Sequence, residues 1–111
     1  MKVELSNGDI LDRFSILQIK EDKFVSESKR ENARRELQAL NSAVDLILES
    51  LEDKTLFRKL KEVNLRLWDI EDAIRIEEKN RQYGAKFVQL ARSVYMVNDE
   101  RASLKREINI Q

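Results

Sequence analysis

Apolar residues recur with a seven-residue rhythm along the last quarter of the chain, at Phe87, Leu90, Val94, Val97, Leu104 and Ile108. Arg101 stands where the next aliphatic residue is due. Two more stripes have the same spacing: Ala33, Leu37, Leu40, Val44, Ile47 and Leu51, then Leu56, Leu60, Val63, Leu67, Ile70 and Ile74. A shorter one runs through Ile10, Phe14, Leu17 and Phe24, with Glu21 in the gap. Alternating steps of three and four put each set on one face of a helix, so the pattern predicts four helices.

The punctuation between stripes agrees. Residues 1–5 alternate apolar and polar, as a short extended arm would. Ser6-Asn7-Gly8-Asp9 reads as a turn into the first helix, with Ser6 as N-cap and Asp9 favourable at the positive helix end. Ser28 followed by Glu31 has the form of a capping box for the second helix. Glu52 to Thr55 breaks the chain before the third, with Asp53 or Thr55 as its cap, and Asn80 to Gly84 breaks it again, with Gly84 as a helix terminator.

Short connections favour antiparallel sequential neighbours. Facing residues of an antiparallel pair keep a constant sum of residue numbers, and the stripes can be matched in this way. Leu51/Leu56, Ile47/Leu60, Val44/Val63 and Leu40/Leu67 match the second helix to the third. Leu60/Leu104, Val63/Arg101, Leu67/Val97 and Ile70/Val94 match the third to the fourth, and Ile10/Val44, Phe14/Leu40 and Leu17/Leu37 match the first to the second. The expected fold is all-α, an antiparallel up-down bundle of four helices, with one domain over residues 1–111. Its layers are Phe14/Leu40/Leu67/Val97, Leu17/Leu37/Ile70/Val94 and Ile10/Val44/Val63/Arg101. The short first helix leaves one end open, where Val3 and Leu5 of the arm are expected to cover Leu51, Leu56 and Ile108.

Composition narrows the function classes. Pro is absent, there are two Gly, and charged residues make up 38% of the chain, as long helices require. Lys plus Arg and Asp plus Glu are 21 each, so the balance shows no basic excess of the kind nucleic-acid binders carry, nor a polybasic membrane surface. Without Cys or His, disulfides, thiol or imidazole catalysis and a Glu-x-x-His di-iron site are excluded. No cofactor is expected, and no stretch is apolar enough for a signal peptide or a membrane span. The expected location is cytoplasmic.

Arg101 is the sharpest irregularity. An unpaired guanidinium in a core would cost several kcal/mol, on the order of 3–5, so a partner is required. The layers put it level with Asp9, Asn64 and Asn98. Either these form an internal network that fixes register, or Arg101 snorkels to solvent, or the four line a polar pocket for an anionic metabolite. Arg101→Met discriminates: a variant that keeps its stability points to a ligand, a melted one to structure. Glu21 sits near a bundle end within reach of Arg34 or Arg92, and solvation is the expected answer there. Glu49 with Glu52 and Asp69 with Asp72 have residue types that Mg²⁺ accepts, but lie off the seams on solvent faces, so no metal site is assigned. The basic residues Lys29, Arg30, Arg34 and Arg35 are interleaved with Glu27, Glu31 and Glu36 and read as a solvated face. A second feature is apolar residues off the seams: Leu65, Trp68 and Ile76, then Leu11, Ile16 and Ile19, and Val88 and Tyr95. These are expected to form a partner surface, with Trp68, Leu65, Ile76, Tyr95, Ile16 and Ile19 as its residues and a homodimer as the first expectation.

The segments LSNGDILDRFSIL, RLWDIEDAIR and FVQLARSVYMVNDERASLKREIN resemble a family of short all-helical proteins of bacteria and phages, sometimes encoded beside glycosyltransferase-type genes. ARSVYMVNDERASLKREIN is the most specific part. The family has no assigned activity, so the resemblance implies a stand-alone module and transfers no catalytic residues. A fainter similarity in size, helicity and arginine content is to the helical chorismate mutases, which gather several cations on a dicarboxylate; here only Arg101 lies in a seam, with Arg13 and Lys20 as neighbours. The expected function is therefore a structural or protein-interaction module that self-associates, without catalytic residues. The alternative is a small-molecule binder or chorismate-mutase-like enzyme centred on Arg101.

Overall fold

The structure, a computed structural model, describes residues 5–111. Among the described residues there are four helices: α1 (Asn7–Lys23), α2 (Glu27–Ser50), α3 (Leu56–Lys79) and α4 (Ala85–Ile110). None is long and apolar enough to cross a membrane.

Each boundary has a local cause. Ser6 caps α1, its hydroxyl accepting the Asp9 N–H at 3.1 Å. The cap of α2 is Ser26 and not Ser28. Glu27 then supplies the acidic first turn, Ser28 lies inside the helix, and Glu31 is drawn to Arg34 at 2.8 Å instead of reaching back to close a capping box. Between α2 and α3, Asp53 Oδ1 accepts from the Thr55 N–H at 2.9 Å and the Thr55 hydroxyl at 2.6 Å, which holds the Asp53 carboxyl below its ordinary range. Lys54 Nζ donates to the carbonyls of Leu48 and Glu49 at the exposed end of α2.

Gly84 does not terminate α3. It is the N-cap of α4, in extended backbone. The terminator is Arg81, at a left-handed φ of 53°. Its N–H bonds to Glu78 O at 3.0 Å, and the next N–H, of Gln82, to Glu77 O at 2.8 Å, a complete Schellman pair. A side chain at that φ costs stability that glycine avoids. Arg81→Gly is expected to stabilise the protein by about 0.5–1 kcal/mol, read as a shift in the urea midpoint.

The packing departs from the expected layers. α1 lies against α2 on one side and against both α3 and α4 on the other, and α3 lies along α4; α2 does not pack along α3 or α4. Arg13–Glu36 and Glu21–Arg34 link α1 to α2 with numbers rising on one helix as they fall on the other, and Arg66–Glu100 and Glu77–Lys86 do the same for α3 and α4. Phe14 and Leu40 therefore belong to one core cluster, with Val44, Ile47, Leu51, Leu56, Leu60 and Ile108, while Leu67 and Val97 belong to another, with Val63, Ile70 and Val94. The matched numbers of α2 and α3 have a physical partner only near their connection, where Leu51, Leu56 and Leu60 meet.

The reason lies in α1. Ile10, Phe14 and Leu17 were one apolar face, but Leu11 and Ile19 are also buried, at 0% and 2% exposure. A helix apolar on two sides must be covered on two sides. Leu11, with half-buried Ile10, closes the end containing Leu51, Leu56 and Ile108. Leu5, expected to do so, is 51% exposed, and Val3 lies outside the described residues.

Candidate functional site

The face of α1 turned to α3 and α4 carries Gly8, Leu11, Asp12, Ser15 and Ile19, all buried. These are spaced three, one, three and four apart, a helical stripe made partly of small and polar residues. Gly8 allows the helices to meet. A Cβ built there would lie 2.6 Å from the Lys105 carbonyl oxygen and 3.0 Å from Asn109 Oδ1, and the Gly8 N–H donates to Asn109 Oδ1 at 2.7 Å. Because the nearest obstruction is backbone, α4 must move to admit a methyl group. Gly8→Ala is expected to destabilise by about 1–3 kcal/mol in urea denaturation.

One turn further, Asp12 is 5% exposed and fully engaged. Arg101 grips it along the side of its guanidinium, Nε donating to Oδ1 at 2.9 Å and Nη2 pairing with Oδ2. Asn64 Nδ2 donates to the same Oδ1 at 2.9 Å and to Ser15 Oγ at 2.7 Å, and the Ser15 hydroxyl donates to the Asp12 carbonyl at 2.8 Å. Three helices are thus tied at one buried carboxylate. The carboxylate in turn raises the Arg101 guanidinium above its ordinary pKa. Beside it, Lys105 Nζ lies 2.8 Å from Asp9 and 3.9 Å from Asp12. That ammonium, with help from Ser6, lowers the Asp9 carboxyl below its usual range.

The three residues expected around Arg101 are therefore divided. Asn64 joins it through the shared carboxylate. Asp9 is one turn away and takes Lys105 instead, and Asn98 is exposed, beside Arg101 on the outer surface of α4, with no hydrogen bond to the network among the described residues. The partner that was missed, Asp12, is a polar residue next to a leucine on a helix whose other face holds the regular stripe, so hydropathy gave it to solvent. Glu21, the other interruption, is expected to be left to solvent; it is instead met by Arg34 Nε at 3.3 Å, one of the two arginines within its reach.

The residues expected on a partner surface also divide. Ile19 is buried within the chain, and Ile16, Leu65 and Trp68 are half-buried. Trp68 meets Phe24 edge-on, with ring centroids 5.9 Å apart. Ile76 and Tyr95 are exposed, at 59% and 79%. The acidic pairs Glu49/Glu52 and Asp69/Asp72 are on the exterior, where Asp72 takes Arg75.

A cleft of about 180 Å³ opens where α1, α3 and α4 meet, walled by Ile16, Ile19, Leu67 and Trp68, with Asn64 and Arg101 on its polar side and Lys20 and Glu71 also lining it. Asn64 Nδ2 is spent on Asp12 and Ser15, whereas its Oδ1 accepts no hydrogen bond among the described residues. Arg101 has no partner but Asp12 among those residues. Its outer edge, formed by Nη1 and the second hydrogen of Nη2, is uncommitted.

Among known proteins, one family model matches residues 1–111, that of a family of unknown function, DUF6165. No curated protein and no solved structure matches the chain.

Proposed function

The chain belongs to the DUF6165 family, and we propose that it is a self-associating helical interaction module whose docking face is the far part of the α3–α4 hairpin. The observation that carries this reading is the mismatch in helix length. α1 ends at Lys23, and its last aromatic neighbour, Phe24, meets α3 at Trp68. Beyond Trp68 the two longer helices continue as a two-helix arm whose seam residues Ile70, Ile74, Phe87, Leu90 and Val94 are only half-buried. Ile76, Val88, Tyr95 and Met96 are at least half-exposed beside them. Two helices alone cannot cover a seven-residue apolar rhythm, and an apolar stripe left in water favours association.

A second copy is the occupant best matched to it. The chain is neutral overall, so no net repulsion opposes its dimer. The arm has Lys79, Arg81 and Lys86 near its tip and Asp69, Asp72 and Asp99 near its root, all exposed. A two-fold copy laid antiparallel sets basic tip against acidic root and restores a four-helix cross-section. Light scattering on a size-exclusion column is expected to give twice the 13.1 kDa chain mass. Val88→Glu with Tyr95→Glu, both at exposed positions, should return it to one chain mass with its helicity kept. A wild-type monomer at micromolar concentration would defeat the reading.

A further inference from the structure

The cleft beside Arg101 is independent of the arm, and we propose that it binds a single α-amino acid with an apolar side chain. Its size sets the class first. At about 180 Å³ it lies below the roughly 300–1,000 Å³ of sites that enclose drug-sized ligands.

Its chemistry is that of a zwitterion carrying a hydrocarbon group. Asp12 saturates one edge of the Arg101 guanidinium and leaves the outer edge, a fork of N–H donors suited to a second carboxylate. Lys20, with no ion-pair partner among the described residues, adds a cation at the same cleft. Against these stand two acceptors. Asn64 is 4% exposed as a residue, and its amide cannot be turned over, because both Nδ2 hydrogens are held by Asp12 and Ser15; its Oδ1 is thereby left as an acceptor without a partner among the described residues, at the cleft that Asn64 lines. Glu71, exposed and likewise without an ion-pair partner among the described residues, is the second. A carboxylate at Arg101 and Lys20, with an ammonium at Asn64 Oδ1 and Glu71, uses every uncommitted polar group. The side chain then lies on Ile16, Ile19, Leu67 and the Trp68 ring. A bare anion such as phosphate would meet Glu71 and an unpaired carbonyl, and would leave the apolar wall wet.

Trp68 is the only tryptophan in the chain, so its emission reports directly on occupancy. L-Leucine, which does not absorb with tryptophan, is titrated into the full chain beside 4-methylpentanoate, which lacks the ammonium, and 3-methylbutylamine, which lacks the carboxylate. Leucine is expected to shift Trp68 emission saturably and to bind at least about tenfold more tightly than either. Glu71→Gln, a change at an exposed side chain, is expected to remove most of the advantage of leucine over 4-methylpentanoate. Absence of a saturable shift with leucine overturns the site. Equal binding of 4-methylpentanoate, or a Glu71→Gln variant that discriminates as well as the parent, overturns the amino-acid assignment. Dimerisation is read separately by light scattering, so neither result bears on the arm.

Discussion

Arg101→Met is expected to lower stability by about 3–5 kcal/mol in urea denaturation, the largest loss from any single change at the helix junction. The cost comes from what remains. Asp12, at 5% exposure, keeps the Asn64 N–H but loses both guanidinium donors, and the nearest other cation, Lys105, is 3.9 Å from Oδ2 and already engaged with Asp9. A carboxylate held from water without a counter-charge is worse than no carboxylate at all. The loss should therefore far exceed what the removal of the partly exposed arginine would cost at an ordinary surface. A variant as stable as the parent would mean that Arg101 is held for its outer edge alone.

Leu11→Ala is expected to cost roughly 2–5 kcal/mol, and to act on both hairpins at once. Leu11 has 0% exposure and clusters with Val44, Ile47 and Leu51 of α2 and its C-terminal end, with Leu56 and Leu60 of α3, and with Ile108 of α4. A cavity there has walls from all four helices, and little freedom to collapse, because Gly8 already sets α1 against the α4 backbone. If α1 covered only α2, the same truncation would open onto solvent and cost under about 1 kcal/mol, as surface changes do. Thermal and urea unfolding followed by circular dichroism separates these outcomes.

The elements were legible in the chain because their signals are local. Ser6 as a cap, the breaks before α2, α3 and α4, and four apolar stripes depend on neighbours within one turn. The arrangement of the helices was less legible. Leu11, Ile16 and Ile19 were visible as surplus apolar residues, but a surplus on one helix has the same pattern whether the chain covers it or a partner does. For Leu11 and Ile19 the chain itself is the answer. Matched residue numbers also cannot tell a helix that packs along its neighbour from one that merely leads into it, and α2 and α3 are of the second kind.

The site divided along the same line. That Arg101 needed a partner follows from the cost of burying a charge, which is independent of fold. Which partner depends on the rotation of α1 about its axis, and Gly8, Asp12 and Ser15 make a seam that no hydropathy scale marks. The sense of that rotation comes from contacts far apart in the chain: Gly8 with Asn109, Asp12 with Arg101, and Asp12 and Ser15 with Asn64. The terminator of α3 was missed for a related reason. Gly84 was the residue with the conformational freedom, yet Arg81 takes the left-handed position because the Schellman bonds to Glu77 and Glu78 fall there.

The central claim is that α1 is the shared helix, locked to the α3–α4 hairpin through Asp12 and Arg101. A double-mutant cycle of Asp12→Leu and Arg101→Met, read as unfolding free energies in urea, tests it most directly. The account predicts that the double variant is no less stable than either single one, with a coupling of at least about 2 kcal/mol, since the leucine and methionine leave neither a buried carboxylate nor an unmatched guanidinium. Single losses that add to within about 0.5 kcal/mol would contradict it.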